Sequence, residues 1–212
     1  MTYTNNSNYN DEWIIVDRKD YTLMFMGYEA GDPLMPPILN SVSTSLHNNA
    51  NMDGYEYTLL SKNDLLIYLS SSSIFSCITH GEQTSIYTSD GKLTVSDING
   101  LSSNAFDNLE FVYLGACLTG EGKDSANNLV NAIYNKGADT VLGFIDEIFV
   151  IEANLWTEVF MTTLSTGCTV NTAINAADAA VWEDNDCQSL PFFTMDNAHR
   201  YLVGSGALAP CA

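Results

Sequence analysis

His80 and Cys117 are the two residues whose types and surroundings in the sequence favour covalent chemistry. Each follows a short apolar run, residues 73–79 for the histidine and residues 110–115 for the cysteine. A thiolate is a nucleophile, and an imidazole within reach favours the thiolate or protonates a leaving amine. Gly81 lets the backbone approach a substrate carbonyl closely, so its N–H and that of Cys117 could form an oxyanion hole.

Each of these residues also has an ordinary structural explanation. A histidine in a loop after a strand is more often a surface or capping residue than a catalyst, and a free cysteine is more often a small buried apolar group. Both explanations stay open for His80 and Cys117 taken singly. Their joint position after two sequential strands favours a Cys–His pair, because neighbouring parallel strands open their carboxyl ends onto the same edge of a sheet.

The elements that must position this pair alternate between strands and helices, which predicts an α/β fold. The predicted strands are residues 21–27, 55–59, 73–79, 110–115, 140–144 and 200–204, and the predicted helices are residues 38–46, 62–69, 96–101, 126–134, 149–164 and 170–181. Right-handed crossovers then place helices on both faces of a mostly parallel central sheet of about six strands. We expect Ser61 to cap the second helix and Ser96 the third, and residues 85–88 and 92–95 to form a hairpin.

Ligands of open α/β sheets bind at the carboxyl ends of the strands. In this chain the segments that follow the third, fourth and fifth predicted strands are residues 80–81, 116–120 and 145–147. These three segments are therefore predicted to surround the functional site.

The composition limits the classes of partner. The chain has 212 residues, with 26 acidic and 7 basic side chains, a formal net charge of −19 and 46% hydrophobic residues. We expect a single domain over residues 21–212, preceded by a polar arm or leader over residues 1–20. So apolar a composition excludes a disordered acidic tail, and the acidity argues against nucleic acid and anionic membranes as partners. Cationic substrates remain compatible with it.

The sequence contains neither a secretory signal nor an apolar run of about 18 residues, so we expect no membrane span. Two origins stay open, a fragment of a longer extracellular or cell-surface protein and a cytoplasmic protein. The 5 cysteines are an odd number at irregular spacing, which gives no disulfide framework. Because CxxC and HxxxH pairs are missing from the sequence, we predict no metal site and no cofactor. The oligomeric state is left open.

Two sequence blocks resemble the caspase-like cysteine peptidases of clan CD. Residues 75–81 (FSCITHG) resemble the family's strand followed by His-Gly, and residues 111–120 (FVYLGACLTG) its strand followed by Ala-Cys and a glycine. The segment 138–143, with Phe160, Gly167 and the Ala-rich residues 173–180, is similar to the region that follows in CHAT-type, gingipain-like and clostripain-like members. The resemblance extends over residues 21–206.

This resemblance implies a caspase-like αβα sandwich and hydrolysis of peptide bonds in a peptide or protein substrate. His80 and Cys117 match the catalytic dyad, and Gly81 and Cys117 match the backbone donors of the oxyanion hole. The chain departs from caspases because Gly115, not Gln, precedes Ala-Cys and Leu118, not a basic residue, follows it. Cleavage after Asp is therefore not supported.

Asp146 and Glu147 are candidates for a specificity pocket, since they follow the fifth predicted strand. In a pocket they could select Arg or Lys by charge pairing, and the alternative is that they are solvated loop acids. Clostripain-like relatives often carry an acid just before Ala-Cys, where this chain has Gly115, so the basic preference loses one of its usual supports.

Basic residues are rare, and three of them mark possible self-cleavage points. Arg18 and Lys19 lie in the polar leader, and Lys123 lies in the Gly-rich segment just after Cys117. An enzyme that cuts after basic residues could release a leader or free an active-site loop there.

The competing hypothesis for the function of the whole chain is a catalytically silent caspase-like module used for binding or regulation.

Overall fold

A computed structural model describes residues 2–5, 13–16, 20–25, 35–50, 52–122, 125, 127–183 and 200–204. The strands in chain order are β1 (Thr2–Asn5), β2 (Trp13–Val16), β3 (Asp20–Phe25), β4 (Asp53–Thr58), β5 (Ile74–Ile78), β6 (Gly81–Glu82), β7 (Ser85–Thr88), β8 (Gly91–Thr94), β9 (Phe111–Gly115), β10 (Thr140–Phe144) and β11 (Arg200–Gly204). The helices are α1 (Met35–Ala50), α2 (Lys62–Ser71), α3 (Val95–Asn99), α4 (Leu129–Tyr134), α5 (Val150–Leu164) and α6 (Val170–Glu183).

Six of these strands form the central sheet of the described chain, in the order β11-β10-β9-β5-β3-β4. The strands β4, β3, β5, β9 and β10 pair in parallel, and β11 lies antiparallel at one edge. Every residue of β5, β9 and β10 is buried. Strands buried on both faces are typical of parallel sheets covered by helices on each side. The predicted mostly parallel sheet is therefore confirmed.

Two apolar clusters lie on opposite faces of this sheet. Along β9, Phe111 and Tyr113 belong to the cluster that contains residues of α1, α5 and α6. The alternate residues Val112 and Leu114 belong to the cluster that contains residues of α2, α3 and α4. Because side chains of a strand alternate between faces, this division gives three layers, helix, sheet and helix.

The helix caps agree with the prediction at one site and differ at another. Ser61 caps α2, and its side chain accepts the N–H of Asp64 as predicted. Ser96 was expected to cap the third helix, and this expectation is wrong. The cap is Thr94, whose side chain accepts the N–H of Asp97 while the Asp97 carboxylate accepts the N–H of Thr94. This reciprocal pair satisfies two backbone donors, so α3 begins before Ser96.

Two smaller sheets accompany the central one. The strands β6, β7 and β8 form an antiparallel sheet that contains the predicted hairpin. The strands β1 and β2 pair within residues 1–20, the segment predicted to be a polar arm or leader. No helix in the described part of the chain combines the length and apolarity needed to cross a bilayer.

Candidate active site

His80 and Cys117 occupy equivalent positions on neighbouring strands. Ile78, the last residue of β5, pairs with Gly115, the last residue of β9. The N–H of Thr79 continues this pairing with a 3.3 Å hydrogen bond to the carbonyl of Gly115. Each candidate catalytic residue follows its paired strand end by two positions, and neighbouring strands lie about 4.8 Å apart. Both residues therefore lie at the same edge of the sheet.

The segment that carries His80 packs directly on the segment that carries Cys117. A Cβ atom added to Gly81 would lie 2.7 Å from the Cβ of Ala116 and 2.7 Å from the carbonyl oxygen of Cys117. Real Cβ atoms do not approach other atoms so closely, so only glycine fits at this position. The backbone of residue 81 is in consequence held against the Ala116–Cys117 turn.

The turn after Cys117 has a strained backbone. Leu118 has a φ of 62°. Among the described residues it is the only one other than glycine with a positive φ. The end of β10 and its following loop fix the turn, because the N–H of Leu118 bonds to the carbonyl of Asp146 at 3.2 Å and the N–H of Gly120 to that of Phe144 at 2.8 Å. Strain held in place by surrounding hydrogen bonds is common at functional sites.

The sulfur of Cys117 contacts the loop after β10. The N–H of Ile148 donates to the sulfur at 3.4 Å, and the thiol donates to the carbonyl of Ile148 at 3.6 Å. Cys117 is half-buried, whereas Cys77 is fully buried, and burial raises the pKa of the Cys77 thiol to about 12. The half-buried Cys168 donates its thiol to the carbonyl of Thr163. Among the described cysteines, Cys117 alone lies at the carboxyl edge of the central sheet.

The ring of His80 is exposed and contacts a tyrosine that the sequence did not single out. The His80 and Tyr87 ring centroids lie 5.9 Å apart with an interplanar angle of 76°, an edge-to-face arrangement. The N–H of Tyr87 also donates to the carbonyl of His80 at 3.0 Å. The predicted hairpin, which returns the chain beside His80, was the signal that could have pointed to Tyr87.

A buried glutamate, which the sequence did not predict as part of the site, holds the loop that contacts Cys117. Glu152 is fully buried, and one of its carboxylate oxygens accepts the N–H of Phe149, the residue after Ile148, at 3.0 Å. Burial raises the pKa of Glu152. Its other oxygen has no hydrogen-bond partner among the residues that the structure describes. This carboxylate therefore fixes the start of α5 next to the sulfur.

The remaining candidate residues fall in different places. Asp146 is half-buried and Glu147 is exposed, and the Asp146 carbonyl lies against the turn after Cys117. Arg18, Lys19 and Lys123 lie outside the described residues. Within the described residues, His, Cys, Asp and Glu side chains form no group of three that could hold a metal ion.

A family model described as the CHAT domain matches residues 48–205. None of the curated proteins has a sequence that matches this chain.

Solved structures show the same fold. Gingipain R of Porphyromonas gingivalis, an Arg-specific cysteine proteinase, matches with a TM-score of 0.69 and 11% identity over 90% of this chain and 48% of its own. The separase–securin complex of Saccharomyces cerevisiae matches at 0.61 and 11% identity over 89% of this chain and 12% of that one. Caspase-1 from Spodoptera frugiperda matches with a TM-score of 0.50 and 10% identity, over 88% of this chain and 86% of the caspase chain. The chain thus spans about half the length of the gingipain chain, and the shared architecture is the caspase-like αβα sandwich.

Proposed function

Because the chain belongs to the CHAT domain family, within the caspase-like fold of the clan CD cysteine peptidases, we propose that it is a cysteine endopeptidase. Its substrate is a peptide or protein chain. The observation that carries the proposal is the shared register of His80 and Cys117, each two residues beyond the paired strand ends Ile78 and Gly115. Residues at the ends of neighbouring strands can act as a nucleophile and its acid–base partner when their side chains come within hydrogen-bond reach.

In the proposed reaction, the Cys117 thiolate attacks the carbonyl carbon of the scissile bond. The carbonyl π electrons move to oxygen, and the N–H groups of Gly81 and Cys117 stabilise the oxyanion. Collapse of this intermediate breaks the C–N bond, and His80 gives a proton to the leaving amine. Water, deprotonated by His80, then attacks the thioester carbon. The C–S bond breaks, the acid product leaves, and the Cys117 thiolate and the protonated His80 are restored.

Two features of the backbone support these roles. The N–H of Ile148 donates to the Cys117 sulfur, and such a bond is stronger when the sulfur is charged. The carbonyl oxygen of Cys117 would lie 2.7 Å from a Cβ on residue 81, so the backbones of Gly81 and Cys117, the two proposed oxyanion donors, pack closely together.

The test is cleavage of a mixed peptide library, with the cut positions read by mass spectrometry. We expect wild-type cleavage to disappear in Cys117→Ala and His80→Ala and to persist in Cys168→Ala, the matched control at a half-buried cysteine. Iodoacetamide should label Cys117 faster than Cys77 and Cys168. Uniformly slow labelling and an uncut library would instead favour the silent binding or regulatory module.

The proposal extends to cleavage after basic residues. Asp146 supports it, because this acid is half-buried and its backbone lies against the turn after Cys117. The Arg-specificity in the printed name of the gingipain neighbour, and the net charge of −19, are compatible with a cationic side chain in the pocket. We expect Asp146→Asn to lose the preference for Arg or Lys, while the exposed Glu147 gives the matched control, Glu147→Gln.

Self-cleavage follows if the preference is basic, with Arg18, Lys19 and Lys123 as the expected sites. Intact-mass spectra of the wild-type protein should then show fragments that are missing from Cys117→Ala. Lys123→Gln should remove the fragments from that site alone. Identical masses for wild type and Cys117→Ala would reject self-cleavage. They would not contradict the proposal that the protein is a peptidase.

A further inference from the structure

The small sheet β6–β7–β8 begins directly after His80 and is tied to both sides of that residue. Gly81 pairs with Ile86 across the sheet. The N–H of Tyr87 donates to the carbonyl of His80 at 3.0 Å. The carbonyl of Tyr87 accepts the hydroxyl of Thr79 at 3.2 Å. The backbone of Tyr87 therefore holds Thr79 and His80, the two residues that follow β5.

The ring of Tyr87 is held in turn by a charged pair. Lys92 lies opposite Tyr87 across the hairpin, with its Nζ 4.6 Å from the Tyr87 ring centroid. The same Nζ lies 2.6 Å from a carboxylate oxygen of Glu82, whose other oxygen accepts the hydroxyl of Ser85 at 3.2 Å. A cation over an aromatic face and an ion pair at its side both restrict the ring. Tyr87 keeps 38% of its residue surface exposed, so it lies at the surface beside the site.

We propose that Tyr87 is a positioning residue for His80, held in its own orientation by Lys92 and Glu82. Proton transfer needs the His80 imidazole in one orientation, so a contact that favours one ring orientation can affect catalysis. The edge-to-face contact at 5.9 Å selects orientations in which the two rings are near perpendicular. The catalytic consequence rests on the proposed peptidase function, but the positioning of the His80 ring does not.

Kinetics test the catalytic consequence. Tyr87→Leu removes the aromatic ring, and we expect kcat to fall about tenfold with KM changed less than about twofold, because proton delivery and not substrate binding is disturbed. Tyr87→Phe keeps the ring and should retain at least about half of the wild-type kcat. The matched control is Tyr134→Leu, at a tyrosine that is 40% exposed and lies at the end of α4 that leads into the start of β10, away from the carboxyl edge. It should leave kcat unchanged.

Proton NMR of the imidazole rings tests the positioning by itself. The chain has 3 histidines, and the signal that disappears in His80→Ala is that of His80. We expect Tyr87→Leu to move the His80 signal and to leave that of His47 in place, because the ring current of Tyr87 is lost. Lys92→Met, which leaves the tyrosine intact, should move the same signal by a smaller amount.

The two readouts separate the two proposals. An uncut peptide library together with a shifted His80 signal rejects the peptidase and keeps the positioning role. An unmoved His80 signal in Tyr87→Leu overturns the positioning role, and so does equal kcat in Tyr87→Leu and wild type. A parallel loss of kcat in Tyr87→Phe and Tyr87→Leu also overturns it, since the aromatic ring would then not be the group that acts.

Discussion

Replacing Gly81 with alanine tests the contact between the two loops of the site. The new Cβ would lie 2.7 Å from the Cβ of Ala116, 2.7 Å from the carbonyl oxygen of Cys117 and 3.0 Å from a methyl group of Thr119. Carbon atoms prefer separations of about 3.5–4.0 Å. The first two contacts involve a backbone oxygen and an atom bonded to the backbone, so side-chain rotation cannot relieve them. The His80–Gly81 segment must move away from Cys117 by about 1 Å to recover that separation.

The size of the effect follows from this displacement. Overpacking of this kind destabilises proteins by about 1–3 kcal/mol. In a domain of about 150–250 residues, each kcal/mol lowers Tm by roughly 2–4 °C. A misplacement of about 1 Å between reacting groups can lower the rate about 100-fold. We therefore expect Gly81→Ala to lose far more activity than its modest fall in Tm would explain.

The assay is kcat on the best peptide from the library, with Tm measured on the same preparations. The matched control is Gly100→Ala, because a Cβ there would lie 3.4 Å from the carbonyl oxygen of Asp97 and 3.6 Å from that of Ser96, which are ordinary contacts. Gly100 also has an ordinary helical φ of −69°. Wild-type kcat in Gly81→Ala, or an equal loss in Gly100→Ala, would refute the reasoning from the close approach.

Three further changes test separate parts of the fold. Burial raises the pKa of Glu152 above its unfolded value, so its contribution to stability is present at low pH and is lost as pH rises through the folded pKa. Glu152→Gln should therefore raise Tm at about pH 8 but not at about pH 4, and an equal gain at both would contradict burial as the cause. Asp178 accepts the buried indole N–H of Trp156 at 2.7 Å, and Asp178→Ala should lower the unfolding free energy by about 1–3 kcal/mol in urea titrations. Thr94→Ala should cost about 0.5–2 kcal/mol in the same titrations, and Ser96→Ala much less, because Thr94 is the cap of α3.

The central sheet could be predicted from the sequence because its strands are buried on both faces. Residues 74–78 and 111–115 are apolar almost without interruption, and such runs indicate parallel strands. The position of the candidate site then followed from a general rule, since ligands bind at the carboxyl ends of such strands. The sequence alone therefore predicts that His80 and Cys117 lie at one edge of the sheet.

The neighbours of the candidate dyad could not be predicted, because they depend on contacts between distant segments. Ile148, whose backbone meets the Cys117 sulfur, is 31 residues away in sequence. The left-handed backbone of Leu118 has no signal in a leucine, a residue type that rarely adopts positive φ. Ser96 and Thr94 are both acceptable cap residues, and only the position of Asp97 three residues after Thr94 distinguishes them.

The basic residues of the described chain are poor sites for self-cleavage. The Nζ of Lys62 lies 3.0 Å from Asp97, that of Lys92 lies 2.6 Å from Glu82, and that of Lys136 donates to two backbone carbonyls, of Asn99 and Leu101. Arg200 belongs to a paired strand of the central sheet. A peptidase cleaves an extended segment that its active site can reach, so cutting at any of these four positions requires local unfolding. Of the 7 basic residues in the chain, Arg18, Lys19 and Lys123 lie outside the described residues, and they stay the predicted self-cleavage points of a base-specific peptidase.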